Sequence, residues 1–211
     1  MPDSTSFTLF FGAALLLAIT PGPGIFYVLT RSLKGGRSEG YASSLGTAIG
    51  GLFHVIAAAL GLSAILSTSA LAFTLIKYAG AAYLIYLGIR TFFAPDDIPS
   101  EELEPSSNFR QVLNQGILTE ALNPKTAIFF LAFIPQFINP DGAIVLQFIL
   151  LGSISVFLNT SADIVVATLA GPIGVQLKKR ANLRRAQRWF TGTSLIALGA
   201  YVALSGESAE A

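Results

Sequence analysis

Residues 4–30 read STSFTLFFGAALLLAITPGPGIFYVLT, with no Asp, Glu, Lys or Arg among them. A helix needs roughly 20 apolar residues to cross a bilayer, and this stretch is long enough for one crossing. Part-way along it stands Thr20-Pro21-Gly22-Pro23-Gly24. Proline inside a helix removes a backbone hydrogen bond and clashes with the preceding turn. The stretch therefore predicts a membrane span that is broken.

The rest of the chain agrees with a membrane protein. Of its 211 residues, 53% are hydrophobic and 12% charged, against about 25% charged in a typical soluble domain. Residues 40–76 are again free of Asp, Glu, Lys and Arg, enough for nearly two spans with a tight turn at Ser67-Thr68-Ser69. Six spans are expected, at about 7–29, 42–66, 71–93, 111–138, 143–170 and 189–205. They divide the chain into a three-helix half at 1–94, an acidic cytoplasmic linker at 95–108, a second three-helix half at 109–206 and a polar tail at 207–211. The N-terminus lacks a basic region, so it is read as leading into span 1 and not as a cleaved signal peptide. With no cysteine, disulfides and thiol chemistry are excluded.

Basic residues set the expected orientation. Arg31, Lys34 and Arg37 follow span 1, Arg90 and Arg110 flank the linker, and Lys178, Lys179, Arg180, Arg184, Arg185 and Arg188 separate spans 5 and 6. The positive-inside rule makes that side cytoplasmic and puts both termini outside.

A second break matches the first. Thr20-Pro21 and Ile25-Phe26-Tyr27 correspond to Asn123-Pro124 and Ile128-Phe129-Phe130 at one offset. Lys77-Tyr78, Leu84-Ile85 and Leu87-Gly88 correspond to Arg188-Trp189, Leu195-Ile196 and Leu198-Gly199 at another. Three spans per half make this an inverted-topology repeat, a common plan among transporters. Thr20 and Asn123 are both good N-cap residues, and proline suits the first position of a helix. A new helical segment is therefore expected at each of Pro21 and Pro124, with Gly22, Pro23 and Gly24 in the first break. The exposed N–H groups of such helix starts favour an anion, such as a substrate carboxylate. Simple structural kinks are the plainer reading. Segment 109–122 is partly amphipathic, interrupted by Leu118 and Glu120, so it is also compatible with lying along the cytoplasmic interface.

Ionisable groups in the membrane cost roughly 2.5–3.5 kcal/mol each on a lenient scale. Asp163 lies deep in expected span 5, and Ser155, Asn159 and Asp163 stand four apart on one helix face. Asp163 is read as carrying a coupled proton or receiving a substrate ammonium, against a structural role in packing. Lys125 opposes the dipole of the helix it begins. That suggests a grip on a carboxylate or a pairing with Asp163, against snorkelling to the surface. His54 follows Gly46 and Gly50 at four-residue spacing with Ala58 beyond, which reads as a packing seam and, less directly, as a proton relay. Phe26, Tyr27, Phe129 and Phe130 are candidates for shaping a pocket.

The combination of Thr20-Pro21-Gly22-Pro23, the pattern from Gly46 to Leu60-Gly61-Leu62, Lys77-Tyr78 with Ala82-Tyr83-Leu84, Leu122-Asn123-Pro124-Lys125 and Pro135-Gln136-Phe137 resembles the lysine exporter superfamily, in its homoserine/threonine-exporter branch. The resemblance implies six helices, a bacterial inner-membrane location and efflux of amino acids driven by the proton gradient. Gly24 departs from it, since the family more often has a polar residue there, usually Asn. The expected partners are a small amino-acid substrate, the proton gradient and membrane lipid, with no nucleic acid and no cofactor; a homo-oligomer is left open. An exporter of metal or other small ions is the alternative, though one Asp and one His are few ligands for a cation path. No H-E-x-x-H, G-x-S-x-G or nucleotide-binding motif occurs, so an enzyme is not expected.

Overall fold

The computed structural model describes residues 4–62, 70–93, 108–179 and 181–204. The expected turn at Ser67–Ser69, the linker apart from Asn108, and the polar tail lie outside the described residues. Those described are helical almost throughout, with no strand among them. Helix α1 covers Ser4–Ile19, α2 Pro23–Ala57 with a π turn at Ala58–Leu62, and α3 Ala70–Phe92. Helix α4 covers Phe109–Ala121, and α5 covers Pro124–Ile128, running on through a π turn at Phe129–Phe133 and a 3-10 turn at Ile134–Phe137. Helices α6, Ile144–Lys179, and α7, Ala181–Leu204, complete the chain.

Polarity is distributed inside out. Phe53, Leu60, Leu75 and Phe157 are exposed, while Thr47, Glu120, Asn123, Lys125 and Asp163 are buried. A soluble protein seldom exposes so much apolar surface, whereas in a bilayer the lipid covers it and polar groups must find partners inside. Pro23–Gly61 and Ile144–Ala170 are each long and apolar enough to cross a membrane. Phe109–Ala121 with Pro124–Phe137, bent by 42°, forms a third candidate as one broken span.

Glycines set the packing. A Cβ on Gly51 would stand 3.0 Å from Val156, and one on Gly152 3.1 Å from Val55, so the second part of α2 runs antiparallel to α6 with backbones close together. Gly88 meets Ile196 and Gly192, and Gly199 meets Ala81 and Ile85, which pairs α3 with α7 in the same sense. Gly46 and Gly50 press on the backbone of α4 at Gly116 and Ile117. The small-residue seam expected there is real, and α4 is its partner. Segment 109–121 is thus packed against α2, with Val112, Gly116 and Glu120 on the buried face.

Two expected loops are helical. The segment between the first two expected spans is part of α2, interrupted only at Gly36, and Gly171–Lys179 continues α6. Leu, Lys, Arg, Gln and Ala are good helix formers whether or not they lie in lipid, so charge marks where a span ends and not where a helix does. At Gly36 the backbone takes φ 71 and ψ −169. Residues eight apart in a straight helix are about 12 Å apart, yet a Cβ on Gly40 would strike the Ser32 side chain. Helix α2 is therefore two arms folded back at one glycine. Arg31 was expected in a loop, but it is only 1% exposed. Its Nη1 lies 3.3 Å from Glu39 Oε2 across the bend, its Nη2 donates to Gln115 Oε1, and its guanidinium stands over the Tyr27 ring. Burial with partners, and not lipid headgroups, explains this arginine.

The Gly36 backbone falls in a region open essentially to glycine alone, at a cost of roughly 1–3 kcal/mol for other residues. Gly36→Ala is expected to lower the melting temperature of the detergent-purified protein by several degrees, read by intrinsic fluorescence. An unchanged melting temperature would show that the bend relaxes without strain.

Candidate functional site

The two breaks are built differently. Helix α1 ends at Ile19, and the Thr20 hydroxyl donates back to Leu16 O at 2.7 Å. Thr20 is therefore not the N-cap of the next helix, and that helix does not start at Pro21. Gly22 takes the cap position in an extended conformation (φ −156), makes no side-chain cap bond, and is followed by Pro23 at the first helical position. With two prolines in Pro21-Gly22-Pro23, the second sets the helix start, because its missing N–H costs nothing there. The second break follows expectation: Asn123 caps α5 by accepting from Lys125 N at 3.0 Å, and Pro124 begins the helix.

The breaks touch through one side chain. Lys125 is only 7% exposed, and its Nζ donates to Leu17 O at 3.1 Å and Thr20 O at 2.8 Å. Those carbonyls belong to the C-terminal end of α1, where a helix has acceptors without intrahelical partners and a negative dipole end. A cation that opposes its own helix thus complements another. Gly22 leaves the space for it, since a Cβ there would stand 3.1 Å from Lys125 Cε.

Beside this contact lies a second charged group, Glu120, at the last turn of α4. Its Oε1 accepts from the Thr126 hydroxyl at 2.6 Å and its Oε2 from Asn123 Nδ2 at 2.9 Å. The Glu120 carbonyl in turn lies 2.9 Å from His54 Nε2, which donates to it. Asp163 faces the same space from α6, with Oδ2 accepting from the Thr47 hydroxyl of α2 at 2.7 Å. Together Glu120, Lys125 and Asp163, with Gly24, Thr47 and Asn159, line a cavity of about 20 Å³. That is room for about one water molecule. Ionisable groups are expensive inside a membrane protein, and three of them converging on one cavity mark a candidate functional site.

The sequence profile of LysE type translocators matches residues 15–206. The chain belongs to the LysE type translocator family. Over 188 residues, covering 89% of this translocator and 91% of the relative, it is 31% identical to the homoserine/homoserine lactone efflux protein of Salmonella typhimurium. It is 40% identical over 150 residues, 67% of the translocator and 71% of the relative, to the uncharacterized membrane protein YrhP of Bacillus subtilis. A membrane protein of Vibrio cholerae is 31% identical over 179 residues, 84% of this chain and 86% of its own. No solved structure matches the translocator.

Five of the residues singled out in the sequence meet around the cavity of the translocator. Gly24, Asn123, Lys125, Asn159 and Asp163 line it; Thr20 and Gly22 contact Lys125 from α1 and the first break. Pro21 faces away, toward an apolar groove that it shares with Phe26. His54 reaches the cavity only through the Glu120 backbone. Lys125 neither snorkels nor pairs directly with Asp163: two of its three N–H donors go to α1. Ser155 bonds to its own helix at Leu151 O. Phe129 and Phe130 pack in the apolar core with Phe133 and Phe137, and the Tyr27 hydroxyl donates to Val112 O at 2.7 Å. Among the described residues no group of three or more His, Asp or Glu is placed to hold a metal.

Glu120 is the member that sequence reasoning passed over. It looked like a fault in an amphipathic pattern, yet it occupies the buried face of α4 because it faces the cavity. A signal was present: between Arg110 and Asp141 the only charged residues are Glu120 and Lys125, of opposite sign and five apart.

Proposed function

We propose that this translocator exports small amino acids or their derivatives across the bacterial cytoplasmic membrane by proton antiport. The observation that carries this reading is the small polar cavity where both helix breaks converge, bearing Glu120, Asp163 and Lys125. A zwitterion needs acceptors for its ammonium and a donor for its carboxylate, and a proton carrier must sit beside it; the cavity offers these chemical types together. The relatives support the same class: one that covers nearly the whole chain is named for efflux of homoserine and its lactone.

The proposal includes six crossings in two inverted halves, with the first arm of α2 completing span 1 and the basic ends cytoplasmic. Transport is then a rocking of one half against the other about the paired breaks. Cells that overproduce the protein and are fed dipeptides should accumulate one or a few free amino acids outside faster than cells with empty vector. Equal accumulation of every amino acid, with altered metal resistance instead, would replace this reading by ion export.

A further inference from the structure

We propose that the site recognises its substrate by the amine end, with Glu120 as the receptor for the substrate's ammonium group and Gly24 as the residue that makes room for it. The inference rests on the export reading and names how that site selects.

Both helix starts that would hold a substrate carboxylate already face internal groups. At the second break the Lys125 N–H donates to Asn123 Oδ1. At the first, the cavity-lining position next to Pro23 is Gly24, where a Cβ would stand 2.6 Å from Glu120 Oε2. The protein's own carboxylate is therefore lodged against the N-terminal turn of α2, where an anion is favoured. The ammonium of Lys125, which could also bind a carboxylate, gives two of its three N–H donors to Leu17 O and Thr20 O. The charged groups facing the cavity are two carboxylates, one each from α4 and α6, with Lys125 from α5 opposite them; Thr47 from α2 is a hydroxyl donor, and Asn159 and Thr160 add neutral polar groups from α6. Such a lining is complementary to a cation.

The two carboxylates are held differently. Glu120 receives a donor on each oxygen, from Thr126 and Asn123, which fixes the plane of its carboxylate as a rigid acceptor. Asp163 receives one, from Thr47, and no other donor reaches it among the described residues. A fixed, doubly anchored carboxylate suits a positioned ammonium ion, and a singly anchored one suits a group that must take and release a proton. Gly24 acts only through Glu120: beyond the carboxylate, the nearest atom to its Cβ position is Thr47 Cγ2 at 3.8 Å, an ordinary contact. A side chain at position 24 displaces the receptor.

The test uses purified full-length protein in liposomes and substrate exchange with no imposed gradient. For alanine, serine, threonine and homoserine, each exported amino acid is competed with its amide, which keeps the amine and lacks the carboxylate, and with its N-acetyl derivative, which has the reverse. The amides are expected to compete and the N-acetyl compounds not. Glu120→Gln should raise the exchange KM at least tenfold with a smaller change in maximal rate, and Glu120→Asp should recover part of it. Gly24→Ala should raise KM in the native background and have no further effect in Glu120→Ala. Each variant is first shown to elute as a single species, and amine binding is read independently as a rise in melting temperature with the amide. Competition by the N-acetyl compounds, or an unchanged KM in Glu120→Gln, overturns the assignment while export stands. A wild-type protein that exports no amino acid from cells overturns the export reading itself.

Discussion

Lys125→Met is expected to abolish export and to destabilise the fold, the largest single effect of any substitution at the site. Methionine matches the length and apolar stem of lysine, so the change removes little beyond the ammonium. Thr20 O then loses its Lys125 donor, while Leu17 O keeps only the Thr20 N–H at 3.2 Å, and a buried polar group left unpaired costs about 1–3 kcal/mol. Glu120 and Asp163 also lose the one cation that faces their cavity. Leaving a buried charge uncompensated costs roughly 3–5 kcal/mol, which at roughly 2–4 °C per kcal/mol for a chain of this size is a fall in melting temperature of some ten degrees or more. Thermal unfolding in detergent, beside export measured at matched protein level, checks both parts. A variant that kept its melting temperature and lost only export would make Lys125 a substrate contact and not a strut.

Asp163→Asn should have the opposite profile. Asparagine is nearly isosteric and still offers Thr47 an acceptor oxygen, so the hydrogen bond that joins α2 to α6 survives. What it cannot do is exchange a proton in the working range of pH. Efflux from liposomes driven by an imposed pH gradient is expected to fall to the level of protein-free vesicles, with the melting temperature held near that of the native chain. Gradient-driven efflux at the native rate would exclude Asp163 as the proton carrier.

Much of this arrangement is legible in the residues, and the illegible part has a physical cause. Long uncharged stretches announce spans because lipid tolerates few charges, and Pro-Gly-Pro and Asn-Pro announce breaks because proline cannot continue a helix. The seam at Gly46 and Gly50 was readable from spacing alone. Which residue caps a break was not: Thr20 and Asn123 look alike in sequence, but whether a hydroxyl turns forward onto the next helix or back to Leu16 depends on where that helix starts, and two nearby prolines compete for the start. The partner of Lys125 was equally hidden, since Leu17 and Thr20 contribute backbone carbonyls, which every residue has. Glu120 was overlooked for a related reason. Periodicity finds the face that packs against apolar neighbours, and a site residue is by nature an exception on that face.

The bond from Lys125 to the end of α1 joins residues more than a hundred positions apart, 108 to Leu17 and 105 to Thr20. A ribosome feeding this chain into the membrane delivers the first break long before the side chain that completes it. Until the second half arrives, α1 ends with two acceptors lacking the lysine donor they share in the folded protein. The first half is thus an unfinished object while the second is being made, and a truncated chain that stops before Lys125 should be short-lived in cells that clear incomplete membrane proteins. The contact that joins the two helix breaks also certifies that synthesis has reached its second half.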